Sequence, residues 1–521
     1  MWSYVVLCLI ALATVSFSHY VYRWRNPKCK GGRLPPGSMG FPLIGETIQF
    51  FIPSNSLLDV PRFFKTRFSR YGKLFRTSLL GHPIVVSSDP EFNYFILQQE
   101  RKLVQVWYMD SFSAIFGGTL RDAPDAHIHK YARHTVLNHV GTETLKEKLL
   151  LKFEVMANQA LGSWSTQPSI ELQTSITSMV FNFISMHLFG FDSTKSSENL
   201  IKMFSGFFQC FMTFPTNIPG TAFHRCMKNQ KKAVKLIKNI LYERINSPEK
   251  RCHKDFLDQV IEDMKTEEFL TEDFVVYWIF GLFLSSYAST SVTLTLAVTL
   301  LTDHPLVVKE LRKEQETILR SRENADSALI WKEFKSMTFM PQVINEVLRM
   351  SISPLLLRKA MKDIHINGYV IPEGWKIMII PSAIHMDPDK FTDPFAFNSW
   401  RWNDLGPNTS SKNFIPFGGG LRTCVGAEFS KTLMSVFLHV LVTKFRYGKR
   451  FRTSLAGRPI VISSDPEFNH YIFQQERKLV QLWYMDSFSA FMGGNIDATA
   501  NAYIHKYIRN VILNHIGILK S

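Results

Sequence analysis

A mainly α body with a minor β portion is what this sequence predicts, on two observations. Between about residues 90 and 350, long segments repeat their apolar positions at helical spacing, as in 145–161, 275–301, 306–319 and 340–350. Strand-like runs broken by Gly and Pro occupy only 72–89 and 358–400. Of 521 residues, 45% are hydrophobic and 20% charged, which excludes a disordered, collagen-like or coiled-coil chain. The length leaves ample material for a large core and a pocket. There are 43 phenylalanines, which fits an apolar substrate or simply a thick core.

The N-terminus comes first in chain order. Residues 2–22 carry no formal charge, and about 20 such residues span a bilayer as a helix. Arg23, Arg25, Lys28, Lys30 and Arg33 follow as a basic flank, which by the positive-inside tendency stays cytosolic. A removed signal peptide has the opposite charge order. Residues 1–22 are therefore expected to be a signal anchor, with everything after them on the cytosolic side. Residues 23–45 combine the basic flank with a proline-rich hinge that includes Leu34-Pro35-Pro36-Gly37 and Gly40-Phe41-Pro42. Proline makes that hinge stiff and non-helical. It reads either as a spacer orienting the body against the membrane or as a turn-rich loop.

Residues 46–446 form the body, and 447–521 form something else. Residues 71–141 recur as 447–517 without a gap, so that Ser87-Ser88-Asp89-Pro90-Glu91-Phe92-Asn93 returns as Ser463-Ser464-Asp465-Pro466-Glu467-Phe468-Asn469. Two copies so far apart are not a solenoid array. The second copy duplicates strands the body already has, so it is expected to pack poorly.

Charge and cysteine content narrow the class further. Lys and Arg number 60 against 44 acidic residues, a net charge of +16. The basic residues are scattered rather than striped, so an anionic membrane or an acidic redox partner is expected and nucleic acid is not. Six cysteines without a CxxC pair make no disulfide framework. One of them stands apart. Phe417-Gly418-Gly419-Gly420-Leu421-Arg422-Thr423-Cys424-Val425-Gly426 reads F-x-x-G-x-R-x-C-x-G. Backbone N–H groups and the start of the following helix are placed to favour the Cys424 thiolate, with a buried structural cysteine as the alternative.

This motif resembles that of the cytochrome P450 superfamily, and others agree with it. Glu346 and Arg349 form E-x-x-R, which shares one helix face, and Arg401 follows in Pro394-x-x-Phe397-x-x-x-Arg401-Trp402. The wording of the motifs, over roughly 34–446, is most similar to plant enzymes that oxidise triterpenoids, sterols and brassinosteroids. The resemblance implies a P450-like haem fold behind the N-terminal anchor helix, with Cys424 as the axial iron ligand. It also implies a haem site formed by Phe417, Gly420, Arg422, Gly426 and Arg133, and a structural cluster of Glu346, Arg349 and Arg401. Arg422 is suited to pair with a haem propionate through its fork of donors. Arg133 looks like a second propionate partner, or else an exposed helix charge. His129 stands where the family usually has tryptophan.

In this family an acid–threonine pair in the long central helix delivers protons to bound dioxygen. Here Ala288 takes the acid's place and Ser289 the threonine's, followed by Thr290. Ser289 and Thr290 are the candidate catalytic hydroxyls, and the alternative is that the Ser/Thr run bonds back to its own helix. Trp107, Phe112, Phe116, Phe207, Phe208, Phe211, Phe283 and Leu355 are candidates for pocket lining or plain core. The implied activity is a monooxygenase of an apolar triterpenoid or sterol-like substrate in the endoplasmic reticulum membrane, using dioxygen and an NADPH-cytochrome reductase. The family's closing C-terminal hairpin is replaced by the repeat, so an impaired or inactive haem-binding chain, or a mis-joined gene product, is the competing expectation.

Overall fold

The computed structural model describes residues 2–27, 29, 31–52, 60–117, 125–167, 169–191, 200–205, 207, 216–246, 255–324, 327–403, 412–445, 450–455 and 458–463. Lys28, Lys30, Phe208, Phe211 and the repeat beyond Ser463 lie outside these residues. The chain divides into two compact units: Met1–Pro168 with Leu172–Arg446, and Tyr447–Ser521 with Ser169–Glu171.

The first unit begins with α1 (Trp2–Arg25), longer than the 1–22 expected because its last turn includes Arg23 and Arg25. It is long and apolar enough to cross a membrane, and Leu7, Leu9 and Leu12 are all exposed. Short α2 (Thr47–Phe50) and α3 (Arg62–Tyr71) lead into β1 (Leu74–Leu79) and β2 (His82–Ser87). The hairpin turns through Leu80 and Gly81, with φ of +52° and +78°. A turn with both central residues left-handed matches the twist of its strands. Asp89 then caps α4 (Pro90–Gln98) by accepting from the Phe92 N–H at 2.7 Å, with proline at the first helical position.

Five more strands build this unit's sheets: β3 (Val104–Val106), β4 (Leu356–Ala360), β7 (Lys376–Ile379) and the separate pair β5 (Ile364–Ile366) and β6 (Tyr369–Ile371). The main sheet runs β1-β2-β7-β4-β3, with β2 parallel to β7 and the other neighbours antiparallel. Three-residue β3 was not expected from the sequence. Its pairing register, Val104 to Ala360 through Val106 to Arg358, joins distant parts of the chain.

Helices make up most of the unit. They include α5 (Ala126–Val140), α6 (Leu150–Ser165), α7 (Leu172–Phe189), α8 (Ala222–Asn246), α9 (Glu272–Asp303), α10 (Pro305–Arg320), α11 (Phe339–Met350) and α12 (Ala427–Lys444). Central α9 packs on α7 and α8, while α12 packs on α6 and α10. α12 is apolar nearly all round, and Phe429 through Val442 are almost all buried. A helix without a polar face belongs inside a protein. Phe181, Phe204, Phe207, Phe280, Phe283 and Tyr287 form an aromatic core between α7 and α9, with Phe181 and Phe283 rings 4.7 Å apart.

In the second unit, β8 (Arg450–Leu455) and β9 (Arg458–Ser463) form a two-stranded hairpin. Arg450 pairs with Ser463 and Leu455 with Arg458, at the positions in the copy that correspond to Leu74 with Ser87 and Leu79 with His82. The same local sequence therefore gives the same register in a sheet that lacks β7.

Several histidines are buried as neutral bases. Burial holds His187 and His439 down at about 4 and His385 at about 3. The Ile415 N–H donates to His385 Nε2 at 3.1 Å, which requires that nitrogen to be unprotonated. Below the ordinary histidine value of 6.5, the unfolded chain takes up protons that the folded chain refuses, so stability falls as pH falls. The thermal unfolding midpoint should therefore drop steadily from pH 6.5 towards 4, and His439→Gln should flatten the slope. A midpoint constant across that window would refute the assignment.

Candidate active site

The cysteine loop is shaped by backbone constraints. Gly418 and Gly420 are left-handed, at φ +73° and +67°. A Cβ on Gly420 would lie 2.0 Å from the Leu97 carbonyl oxygen, so the loop can approach the end of α4 only with glycine there. The Cys424 N–H donates to the Phe417 carbonyl at 2.9 Å, and the Thr423 N–H to that of Gly420 at 3.2 Å. Arg133 on α5 ties the loop down, donating from Nη1 to the Thr423 carbonyl at 2.7 Å. Gly426 then precedes the first turn of α12.

Burial raises the Cys424 thiol above its ordinary value of 9.0, outweighing the Gly426 N–H and the charge of Arg133, which both lower it. The two local partners act in the direction the sequence predicts, and desolvation acts against them. One N–H and one cation do not repay the loss of water around the sulfur. The residue nevertheless keeps accessible surface. Desolvation combined with accessibility places the sulfur in a recess of the body rather than on its outer face.

Beside this loop is an excess of positive charge. His129 on α5 sits among Arg422, Arg101 and Arg133, and burial with those three charges pushes it down to about 4. Arg358 on β4 is only 4% exposed, and its Nε lies 2.7 Å from Glu100 Oε2. Neither of those two atoms makes a directed hydrogen bond. Arg422 donates from Nε to Glu100 Oε1 at 3.3 Å. One carboxylate thus serves two of these four arginines, Arg358 and Arg422. Sequence reasoning missed Arg358 and Glu100; an arginine within the apolar run Leu356-Leu357-Arg358 was the available signal.

Part of α9 is accessible as well. Ser285 and Ser289 are exposed and Val292 is 53% exposed, although most of the helix is buried. With Gly281 they follow helical spacing and form one stripe. Phe116 lies against its start, 3.1 Å from where a Gly281 Cβ would be. Ser289 is on the stripe, and its hydroxyl donates to the Ser285 carbonyl at 2.6 Å. Thr290 is not on it. Its side chain is buried, with the hydroxyl 3.3 Å from Ser430 Oγ on α12. Neighbouring helix residues point 100° apart, so only one of this pair can face the recess. Ala288 is buried, and no acid stands on the stripe.

Of the lining candidates, Phe112 and Phe116 lie with tilted rings 4.6 Å apart, and Phe116 borders that stripe. Phe207 and Phe283 belong to the aromatic core, at 0% and 3% exposure. Leu355 packs on the β1–β2 core, and Trp107 contacts His82 edge-on at 5.4 Å.

Glu346 and Arg349 lie behind the loop, both at 0% exposure. Glu346 accepts from Arg349 Nη2 at 2.8 Å and Nε at 2.9 Å, from Arg401 Nε at 3.0 Å and from Trp402 Nε1 at 3.0 Å. Arg349 also donates to the carbonyls of His385 and Pro394 at 2.9 and 2.7 Å.

These residues fit a pre-ligated metal with an anionic edge. No three His, Cys, Asp or Glu side chains cluster to hold a bare ion among the described residues. A lone sulfur in a recess suits an iron whose other ligands come from a macrocycle, and the arginines suit its carboxylates. Such a site defines the haem-thiolate proteins as a class.

The chain belongs to the cytochrome P450 family, whose model matches residues 35–448. The match ends where the repeat begins. Cucurbitadienol 11-hydroxylase of Siraitia grosvenorii is 45% identical over 89% of this chain and 98% of that one. Beta-amyrin 16-alpha-hydroxylase of Maesa lanceolata is 43% identical, over 88% of this chain and 97% of that one. A cholesterol 22-monohydroxylase of Paris polyphylla is 31% identical, over 85% and 93%. The retinoic acid bound cyanobacterial CYP120A1 structure shares the fold, with a TM-score of 0.70 at 23% identity, covering 82% of this chain and 95% of that one. The protein is therefore a P450 monooxygenase, mainly helical with a minor sheet, and P450 membership implies haem, dioxygen and a redox partner.

Removing the central acceptor tests the buried cluster. Glu346→Gln leaves two arginines short of a charge, and breaking a buried pair costs about 3–5 kcal/mol. Chemical denaturation should show a loss of that order; a loss under about 1 kcal/mol would mean that the cluster is not what holds these segments.

Proposed function

We propose that this chain is a membrane-anchored monooxygenase of a triterpenoid or sterol-like substrate, with Cys424 as the axial ligand of its haem. The observation that carries the reading is the single desolvated thiol of Cys424 on a glycine-pinched loop beside an excess of arginines, two of which share the carboxylate of Glu100. Arg133, Arg358 and Arg422 would hold the propionate edge, the last two by shifting from Glu100. When bound, the haem supplies activation of dioxygen by two electrons. The protein's own residues do the rest. Gly418 and Gly420 let the loop approach closely, and Phe417 and Gly426 bracket the sulfur.

Ser289 is the hydroxyl that faces the recess, and we assign it the proton relay. To relay, it would turn from the Ser285 carbonyl and give its proton onward as its oxygen takes one from water. Phe112 and Phe116 supply apolar surface at one end of the stripe. The substrate class rests on the three relatives, each a hydroxylase of a triterpenoid or sterol by name. α1 would anchor the chain in the endoplasmic reticulum membrane with its body in the cytosol, where an NADPH-cytochrome reductase delivers electrons to its basic surface.

A second reading has its own support. The family match stops at residue 448, and the repeat takes the place of the family's closing hairpin. On this reading the chain binds haem but turns over little. NADPH-dependent conversion of cucurbitadienol-type or amyrin-type substrates in microsomes separates the two readings.

The reduced, carbon-monoxide-bound protein should show the strongly red-shifted Soret band of a thiolate-ligated haem, and Cys424→Ala should abolish it. An unchanged band in that variant would end the assignment. Ser289→Ala should lower product formed per NADPH several-fold, well short of the roughly 10²–10⁴-fold that a full general acid contributes. Thr290→Val should change thermal stability and leave that ratio alone; the reverse pattern would exchange their roles.

A further inference from the structure

Helix α8 has two unlike sides. Phe223, Ala233, Ile237 and Leu241 are buried, and the helix packs on α9. Arg225, Lys228, Lys231, Lys232 and Lys235 are all exposed. At 3.6 residues per turn these five fall within an arc of about 120°, opposite the buried row. No acidic residue occurs between Ala222 and Tyr242. Arg225 donates from Nη1 to the Gly220 carbonyl at 2.9 Å, and the four lysines form no ion pair with any described residue.

Such a stripe works against its own helix. Arg225 with Lys228, Lys228 with Lys231 and Lys232, and those two with Lys235 are like charges three or four residues apart, which destabilise a helix. Arg225 also lies in the first turn, where the helix dipole disfavours a cation. A face that only meets water gains nothing from concentrating charge in this way, whereas a face that meets an anion does.

The sign reverses at the C-terminal end of the same face. Glu243 falls on the arc and is exposed. Glu272 and Asp273, which begin α9, are brought alongside. The Tyr242 hydroxyl donates to Glu272 Oε2 at 2.6 Å, and Lys238 Nζ lies 3.4 Å from Asp273 Oδ1. The Asp273 side chain is still 81% exposed. A uniformly acidic partner, whether a lipid surface, a nucleic acid or an acidic protein, is attracted by the lysines and repelled by these carboxylates. A surface with both signs in sequence satisfies both halves, and this chain carries one. A two-fold axis across α8 sets the helix antiparallel to its equivalent, so the basic half of each copy meets the acidic half of the other.

We infer that α8 is the contact surface of a homodimer, formed by antiparallel pairing of its charged face with that of a second copy. One helix face buries little area, so the pairing is weak and exchanges readily. Helix α1, long enough to cross a membrane, would confine the copies to one plane and raise their effective concentration.

The test uses the full chain, labelled at its C-terminus with a donor or an acceptor dye and co-reconstituted in phosphatidylcholine vesicles that retain it on flotation. Energy transfer is compared with the level of random proximity. One variant replaces Lys228, Lys231, Lys232 and Lys235 by Glu, and a second replaces Glu243, Glu272 and Asp273 by Lys. Wild-type transfer should exceed the random level at about 0.1 M salt and vanish by about 1 M, as the screening length falls from about 10 Å to about 3 Å. Either variant alone should drop to the random level. Donor on one variant and acceptor on the other should restore the wild-type signal, because the exchanged signs are again complementary. Wild-type transfer that is random or indifferent to salt, transfer kept by either variant alone, or a mixed pair no better than its parts would overturn the inference. Transfer that appears only when phosphatidylserine is added would assign the stripe to lipid headgroups and overturn it as well.

Discussion

One carboxylate with no access to water organises the ground beneath the cysteine loop. Glu346 receives donors from Arg349, Arg401, Trp402 and the Asn398 backbone N–H, the last at 3.0 Å. The donors come from α11 and from the irregular segment after β7, which has little regular structure of its own to hold it. Burying an ion is costly, and the cost is offset only when every lone pair finds a partner. This arrangement meets that condition through geometry specific to one backbone path. It therefore dictates where the segment before the cysteine loop must run. The same logic applies in weaker form around Glu100, which answers Arg358 and Arg422 together and leaves two atoms without directed bonds.

Much of this was legible in the sequence. The long helices follow their apolar periodicity, and α9 through α11 lie where the pattern puts them, within a few residues at each end. The spacing of Glu346 and Arg349 fixed their contact because helix geometry alone brings i and i+3 together. The recurrence of 71–141 was plain, and the matched registers of β1–β2 and β8–β9 show how far a hairpin is specified by local turn and strand residues. Less was visible where contact depends on the order of strands. Arg358 meets Glu100 only because β3 lies beside β4, and a three-residue strand has no periodicity to detect. The desolvation of Cys424 was hidden for a related reason. Its attractive partners are local and can be read from the chain, whereas its desolvation comes from the whole surrounding body.

The central helix separates two kinds of residue that composition cannot distinguish. Phe207 and Phe283 are core, sharing an aromatic cluster with Tyr287, whose hydroxyl has no partner. Phe112 and Phe116 lie by the accessible stripe. Family membership fixes the chemistry of the loop, and the residues along that stripe are where one substrate would be told from another.

The hydroxyls of α9 carry a further consequence. Ser285, Ser286, Ser289, Ser291, Thr293, Thr295, Thr299 and Thr302 each donate to the carbonyl four residues earlier. The helix in effect brings its own hydration, with oxygens already bonded along the rod. With their protons given to the helix itself, these side chains can sit on its buried and its accessible faces alike without an unmet donor.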